Sequence, residues 1–213
     1  MRMEVDLRFV EVGYELMILS EYVKLLDANL PAIIEAEKKK IWIDLDRGED
    51  VDRSTGHHLE DRLTEGVSTR FLTGAVIMAT WAIYEATVER MADYVRDAKK
   101  VSLKMNHLRG SFLQRARRYH DDVLKFELHS TGADWQRLER LAELRHVLAH
   151  ANGRLWDVPA DDLRRMDPWL KNTPGLTIVD DEYLVVSLDF AREALEFVDG
   201  LLRDLVDRVR KTF

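Results

Sequence analysis

A guanidinium and two imidazoles stand within six residues of each other in the stretch LAELRHVLAHANGRL, which covers residues 141 to 155. They belong to Arg145, His146 and His150, in what reads as the last turns of a helix. Imidazole exchanges protons near neutral pH, and the donor fork of arginine matches carboxylate or phosphate oxygens. These residue types therefore suit proton transfer beside a bound anion.

A helical wheel separates the two kinds of side chain. Arg145 falls on an apolar arc, whereas His146 and His150 fall on the opposite, polar side. The apolar arc comprises Leu138, Leu141, Leu144, Leu148 and Ala149, and the polar side also holds Glu139 and Glu143. An unpaired buried charge costs several kcal/mol, so Arg145 needs a carboxylate, carbonyls or a partner surface. Glu85, the first charge after a long uncharged run, is the predicted partner within the chain.

The histidines also have a purely structural interpretation. Cationic side chains in the last turn of a helix are favoured by its dipole by about 0.3–1 kcal/mol. The following ANG supplies a glycine at which the helix can stop. Both interpretations of the stretch stay open at this point.

Helical periodicity dominates the rest of the chain, which has 4 prolines and 10 glycines. The predicted helices cover about 5–45 with a break or kink at DANLP, 59–99, 110–128, a segment ending at the motif, and 189–209. The apolar segment FLTGAVIMATWAIY predicts a helix buried on nearly all sides. Residues 46–57 predict a loop. In the region 153–187, LTIVDDEYLVVSL predicts two short strands around an Asp-Asp-Glu turn. The sequence thus predicts an all-α helical bundle in a single domain over 1–213. N-terminal helices would fill 1–46, and a loop and hairpin insertion at 153–187 would precede the last helix.

Composition narrows the class of protein. The chain has 213 residues, no cysteine and a formal net charge of −7, with 46% hydrophobic and 33% charged residues. The absence of cysteine fits a reducing compartment. The acidic N-terminus lacks the apolar core of an export signal, and the uncharged run Phe71–Tyr84 is too short to span a bilayer. We therefore expect a cytoplasmic protein without membrane attachment.

The motif resembles that of a known family. Arg145, four intervening residues, His150 and the following ANG resemble the R-x4-to-6-H signature of the HEPN superfamily, whose members are small all-helical domains with this motif on a late helix. The stretch FLTGAVIMATWAIYEATVERM is similar to the central helix that precedes the motif in many members. In layout the resemblance covers most of 60–213, although its specific signal is six or seven residues long. His146 replaces the family's usual asparagine. Asn152 stands where one toxin subtype, paired with a nucleotidyltransferase, has a tyrosine, so that subtype is not expected.

This resemblance implies a metal-independent ribonuclease of a toxin or host-defence system, acting as a homodimer whose motifs meet in one cleft. Arg145 would bind the scissile phosphate, and His150 would be the general acid or base. His146 would either transfer a second proton or form a hydrogen bond across the interface. RNA supplies its own 2′-hydroxyl nucleophile, so this scheme needs no metal and no cofactor. Expected partners are RNA, a second copy of the chain, and an antitoxin or other defence-system protein. The alternative is a non-catalytic helical module of the same type that binds a nucleotide or a protein and uses Arg145 as an internal strut.

Two further groups of residues have types and spacing that could bind a ligand. The stretch from Arg96 to His120 is rich in lysine and arginine and predicts a phosphate-binding surface at Arg115, Arg117 and Arg118, with Tyr119 and His120 as stacking residues. A solvated helix face with acids from neighbouring elements explains the same composition. His146 and His150 have a spacing that suits zinc, with Glu143 nearby, but a third ligand is not evident and the H-E-x-x-H pattern is absent. The sequence therefore predicts no metal site.

Overall fold

The computed structural model describes residues 7–46, 70–129 and 131–213. In these ranges the chain forms six helices and one antiparallel hairpin. The helices are α1 Leu7–Asp46, α2 Arg70–Lys99, α3 Phe112–Arg118, α4 Gly132–His150, α5 Ala160–Leu170 and α6 Leu188–Thr212, and the strands are β1 Leu176–Val179 and β2 Tyr183–Val186. The fold is all-α with a small hairpin before the last helix, as predicted. The predicted loop at 46–57 and the start of the predicted helix at Leu59 lie outside the described residues, apart from residue 46, which ends α1.

α1 is one continuous helix, so the chain does not break at DANLP; the alternative prediction of a kink there stays a prediction. The helix runs from Leu7 to Asp46 and contains Pro31. A proline inside a helix removes a hydrogen bond and costs about 3 kcal/mol or more. Packing of the preceding segment offsets this cost, because an apolar stripe is buried there: Val12, Leu16, Leu19, Val23 and Leu26. The opposite side of α1 exposes further large apolar residues, among them Tyr14, Ile18 and Leu25.

α2 is buried along one broad face and not on nearly all sides, which corrects the prediction. Val76, Ile77, Tyr84 and Val88 are fully buried, whereas Phe71 and Met78 on the other side are exposed. By length and composition α2 is apolar enough to cross a membrane, but half of its most apolar window is buried inside the structure. A core helix meets the same criteria of length and hydropathy.

The chain separates into two compact units. The first comprises Met1–Leu19, Ala79–Ala142 and Ala194–Phe213, and the second comprises Ser20–Met78 and Glu143–Glu193. Arg145, His146 and His150 belong to the second unit, together with the insertion at 153–187. The expectation of a single domain stays a prediction.

The hairpin of the second unit packs through its backbone onto the segment that follows His150. β1 and β2 pair in the register Leu176 to Val186, with the Asp-Asp-Glu turn between the strands as predicted. The Leu184 amide donates to the Gly153 carbonyl at 2.8 Å, and the Leu155 amide donates to the Glu182 carbonyl at 2.8 Å. The insertion therefore holds the chain in place directly after the motif.

Candidate functional site

The motif lies at the C-terminal end of α4, and local sequence sets both ends of this helix. At the start, the Thr131 hydroxyl accepts a hydrogen bond from the Asp134 amide at 3.1 Å, which is an N-cap. At the end, the Val147 carbonyl accepts from the amides of Ala151 at 3.0 Å and Gly153 at 3.2 Å. Asn152 and Gly153 adopt positive φ values of 51° and 74°, which end the helix. The predicted stop after His150 is confirmed.

The two histidines of the motif lie side by side on the surface. Both are exposed, and their ring centroids are 4.6 Å apart with an interplanar angle of 49°. Neither ring forms a hydrogen bond or ion pair within the part of the chain that the structure describes. Their nitrogen atoms are thus available to a substrate.

Arg145 lies at the edge of the buried face of α4. The leucines of the predicted arc are buried, whereas Arg145 and Ala149 are half-buried. Among the described residues of its own compact unit, the Arg145 guanidinium makes no hydrogen bond or ion pair. Glu85, its predicted partner, belongs to the first unit, so their pairing stays a prediction. None of the described residues of this unit therefore competes with an external anion for the Arg145 donors.

Glu143 joins the insertion to the histidine side of α4. Its carboxylate accepts hydrogen bonds from Arg165 Nε at 2.7 Å and from Trp169 Nε1 at 3.2 Å, both on α5. Glu143 precedes His146 by about one helical turn on the same polar side. α5 therefore borders the surface on which the two histidines lie.

Sequence reasoning missed a second polar group, beside the turn that follows His150. Arg70, at the start of α2, is only 6% exposed, and its guanidinium lies 4.7 Å from the Tyr183 ring centroid and 5.2 Å from that of Phe71. Trp156 meets the Tyr183 ring edge-on at 5.0 Å. Arg154 is close enough to affect Arg70 electrostatically. We call Arg70, Phe71, Arg154, Trp156 and Tyr183 the Arg70 cluster.

Burial dominates the electrostatics of Arg70. It lowers the pKa of the Arg70 guanidinium, Tyr183 opposes this shift, and the positive charge of Arg154 adds to it. Arginine nevertheless stays cationic in proteins. The Nε and Nη1 atoms of Arg70 are enclosed without a hydrogen-bond partner. In the sequence, Arg154 and Trp156 stand just after the motif. No local sequence pattern connects these two residues to Arg70.

The predicted basic surface belongs to the first unit, and some of its arginines already make contacts within the chain. Arg117 lies 3.9 Å from the Asp121 carboxylate and 5.0 Å from the Trp135 ring centroid, and Arg115 is half-buried. Arg118 is exposed. Tyr119 and His120 are fully buried, so their predicted role as stacking residues is wrong. They lie at the start of a π-helical turn, Tyr119–Leu124, which turns both rings inward. RNA binding by the three arginines stays a prediction.

No group of three or more His, Cys, Asp or Glu side chains that could hold a metal ion occurs among the described residues. Comparisons of the chain with protein-family models, curated proteins and solved structures gave no match. A functional interpretation therefore depends on the chain's own side chains.

Proposed function

We propose that the chain is an HEPN-type endoribonuclease that cleaves RNA without a metal, as a homodimer with a composite active site, in a toxin or host-defence context. The single observation that most supports the proposal is that the side chains of the motif have no partners among the described residues. His146 and His150 are exposed and side by side, and Arg145 has no partner among the described residues of its own unit. Among the described residues, these side chains have no partner that would compete with a substrate for their donors and acceptors.

The chemistry assigns one task to each residue. Arg145 binds the scissile phosphate and stabilises the charge that develops on it in the transition state. His150 takes the proton of the attacking 2′-hydroxyl or gives one to the leaving 5′-oxygen. His146, whose ring lies against that of His150 at the protein surface, is the polar neighbour of this proton-transfer group.

The helix itself supports a composite site. Arg145 and His150 are five residues apart, so they diverge by about 140° around the axis of α4. One copy of the helix therefore directs the two side chains to different sides. A two-fold axis would bring Arg145 of one copy to the phosphate that His150 of the other copy serves.

RNA cleavage in excess EDTA tests the proposal. We expect cleavage by the wild type and its loss in both Arg145→Ala and His150→Ala. Matched controls are Arg203→Ala and His107→Ala, which change exposed residues of the same types in the first unit and should cleave normally. Loss in the controls, or cleavage that persists in both motif variants, would contradict the assignment. A protein that binds a nucleotide or a protein partner but cleaves no RNA would be the non-catalytic module instead.

Mixing the two inactive variants tests the composite site separately. When Arg145→Ala and His150→Ala subunits exchange freely, half of the dimers are mixed. Each mixed dimer then has one intact site if Arg145 and His150 of a site come from different subunits. Activity should return to about a quarter of the wild-type value. No recovery, with mixed dimers demonstrated by mass spectrometry, would mean that each site uses one subunit alone.

A further inference from the structure

We propose that the Arg70 cluster binds an unpaired nucleotide of single-stranded RNA, with the phosphate at Arg70 and Arg154 and the base on the Trp156 ring. The inference rests on the proposed function for its class of substrate. It adds that the protein accepts single-stranded RNA and that a binding site for it lies outside the motif.

Arg70 has no anionic partner among the residues that the structure describes. Its enclosed Nε and Nη1 atoms have no partner, which is costly for donors of a charged group. The two aromatic rings offset part of this cost, since cations are attracted to ring faces. Arg154 pairs with Asp157 at 2.9 Å, and among the described residues no carboxylate pairs with Arg70. A phosphate oxygen at Nη2, the guanidinium nitrogen that is not enclosed in this way, would supply the missing negative charge.

The position of Arg70 is fixed before any ligand binds. Its side chain runs against the Gly153 backbone so closely that a Cβ atom at residue 153 would lie 2.7 Å from Arg70 Cδ. The Gly153 carbonyl is itself held by the Leu184 amide. The guanidinium thus needs no ordering on binding, which favours affinity because little side-chain entropy is lost.

The exposed rings determine which form of RNA the cluster suits. Trp156 is 54% exposed and Phe71 is 50% exposed, beside the buried cation. Unpaired bases stack on aromatic side chains and on arginine planes, whereas a duplex keeps its base faces covered. A cation separated from an exposed indole ring by the Tyr183 ring alone therefore favours single-stranded RNA over a duplex.

The cluster lies within reach of the motif along one strand. Arg154 follows His150 by four positions, a distance of at most about 14 Å for extended chain, and the turn at Asn152 and Gly153 shortens it further. A strand with its phosphate at His150 and Arg145 can place a neighbouring nucleotide on the cluster. The cluster would then hold the substrate while the motif cleaves it.

Binding to the full chain with His150→Ala as the background tests the inference without cleavage. The probes are a short fluorescein-labelled single-stranded RNA and the same RNA annealed to its complement, with anisotropy as the readout. We expect the single strand to bind more tightly than the duplex. Trp156→Ala should weaken single-strand binding roughly 5- to 150-fold, the loss of one base–aromatic stack, and leave duplex binding nearly unchanged. Tyr14→Ala, which removes another exposed aromatic ring, is the matched control and should bind like the background.

Arg70→Lys tests the cation. It keeps the charge but loses the planar fork, and single-strand binding should weaken by about tenfold. Thermal unfolding identifies any variant that has lost its fold, and Trp156→Ala, at an exposed position, keeps the test decisive if Arg70→Lys unfolds.

The outcomes separate this inference from the proposed function. Undiminished single-strand binding by Trp156→Ala overturns the cluster, even if Arg145 and His150 prove essential for cleavage. Trp156-dependent binding by a protein that never cleaves RNA upholds the cluster and rejects the nuclease. Direct binding of a phosphopeptide or of vesicles of acidic lipid that depends on Trp156, without single-strand binding, would assign the cluster to another partner and overturn the RNA assignment.

Discussion

The imidazole rings of His146 and His150 lie with their centroids 4.6 Å apart, one helical turn from each other, at the exposed end of α4. Under the proposed function one ring is the proton-transfer group and the other is its polar neighbour.

Replacing the two histidines separately should have unequal effects on RNA cleavage. His150→Ala should lower the single-turnover rate by about 10²- to 10⁴-fold, the usual contribution of a general acid or base. His146→Asn retains a polar amide beside His150 and should stay within about tenfold of the wild type. Circular dichroism checks that both variants are folded. An equal loss in both variants would mean that His146 also transfers a proton.

Removing the Glu143 carboxylate should loosen the insertion. Glu143→Ala loses the contacts to Arg165 and Trp169, and their partial exposure limits the expected destabilisation to about 1 kcal/mol. Hydrogen exchange should accelerate at the amides of α5, and urea denaturation measures the loss. The control is Asp161→Ala, whose ion pair with Arg164 is solvent-exposed and should contribute less than about 0.5 kcal/mol. Equal effects of the two variants would show that Glu143 does not anchor α5.

Features that depend on residues close together in the sequence were predicted correctly. The stop after His150 follows from Asn152 and Gly153, which adopt the left-handed conformation that ends a helix. The turn between the strands follows from Asp180 and Asp181, which both adopt positive φ values. The leucine stripe of α4 followed from its period and is buried as predicted.

Long-range packing explains what the sequence did not predict. Arg70 stands beside Tyr183 across more than a hundred residues, and no local pattern predicts that contact. Pro31 reads as a break, but a helix that buries Val23 and Leu26 continues through it. His120 stands in a basic stretch and reads as a surface residue, yet the π-helical turn buries it completely.

The same glycine-to-alanine substitution should have opposite effects at two positions. Gly153 has a φ of +74°, and an added Cβ would lie 2.7 Å from Arg70 Cδ and 3.0 Å from the Leu184 carbonyl oxygen. Gly153→Ala should therefore destabilise the protein by about 1–3 kcal/mol. Gly200 lies inside α6 with nothing within 4 Å of an added Cβ, so Gly200→Ala should stabilise the protein by about 0.5–1 kcal/mol. Urea denaturation measures both changes, and a neutral Gly153→Ala would contradict the close approach of Arg70 to the turn.

Two buried histidines should make the stability of the protein fall in mild acid. His129 Nε2 lies 2.8 Å from the Tyr84 hydroxyl, and His120 is fully buried. Burial lowers the pKa of each ring to about 4. In the unfolded chain a histidine binds its proton at about pH 6.5, so below that value protons favour the unfolded state. The contribution of these two histidines to the free energy of unfolding should be constant above about pH 7 and should fall between pH 6.5 and pH 4. By pH 5 each histidine should account for a loss on the order of 2 kcal/mol.

Urea denaturation between pH 7 and pH 5 measures this dependence, above the range in which most carboxylates titrate. His129→Gln keeps a hydrogen-bonding group for Tyr84 but does not titrate, and His120→Leu removes the second buried ring. Each variant should flatten the decline by its own share, and the two together should remove most of it. His107→Gln, at an exposed histidine, is the matched control and should retain the full decline of the wild type. A double variant that declines as steeply as the wild type would mean that other groups take up the protons on unfolding.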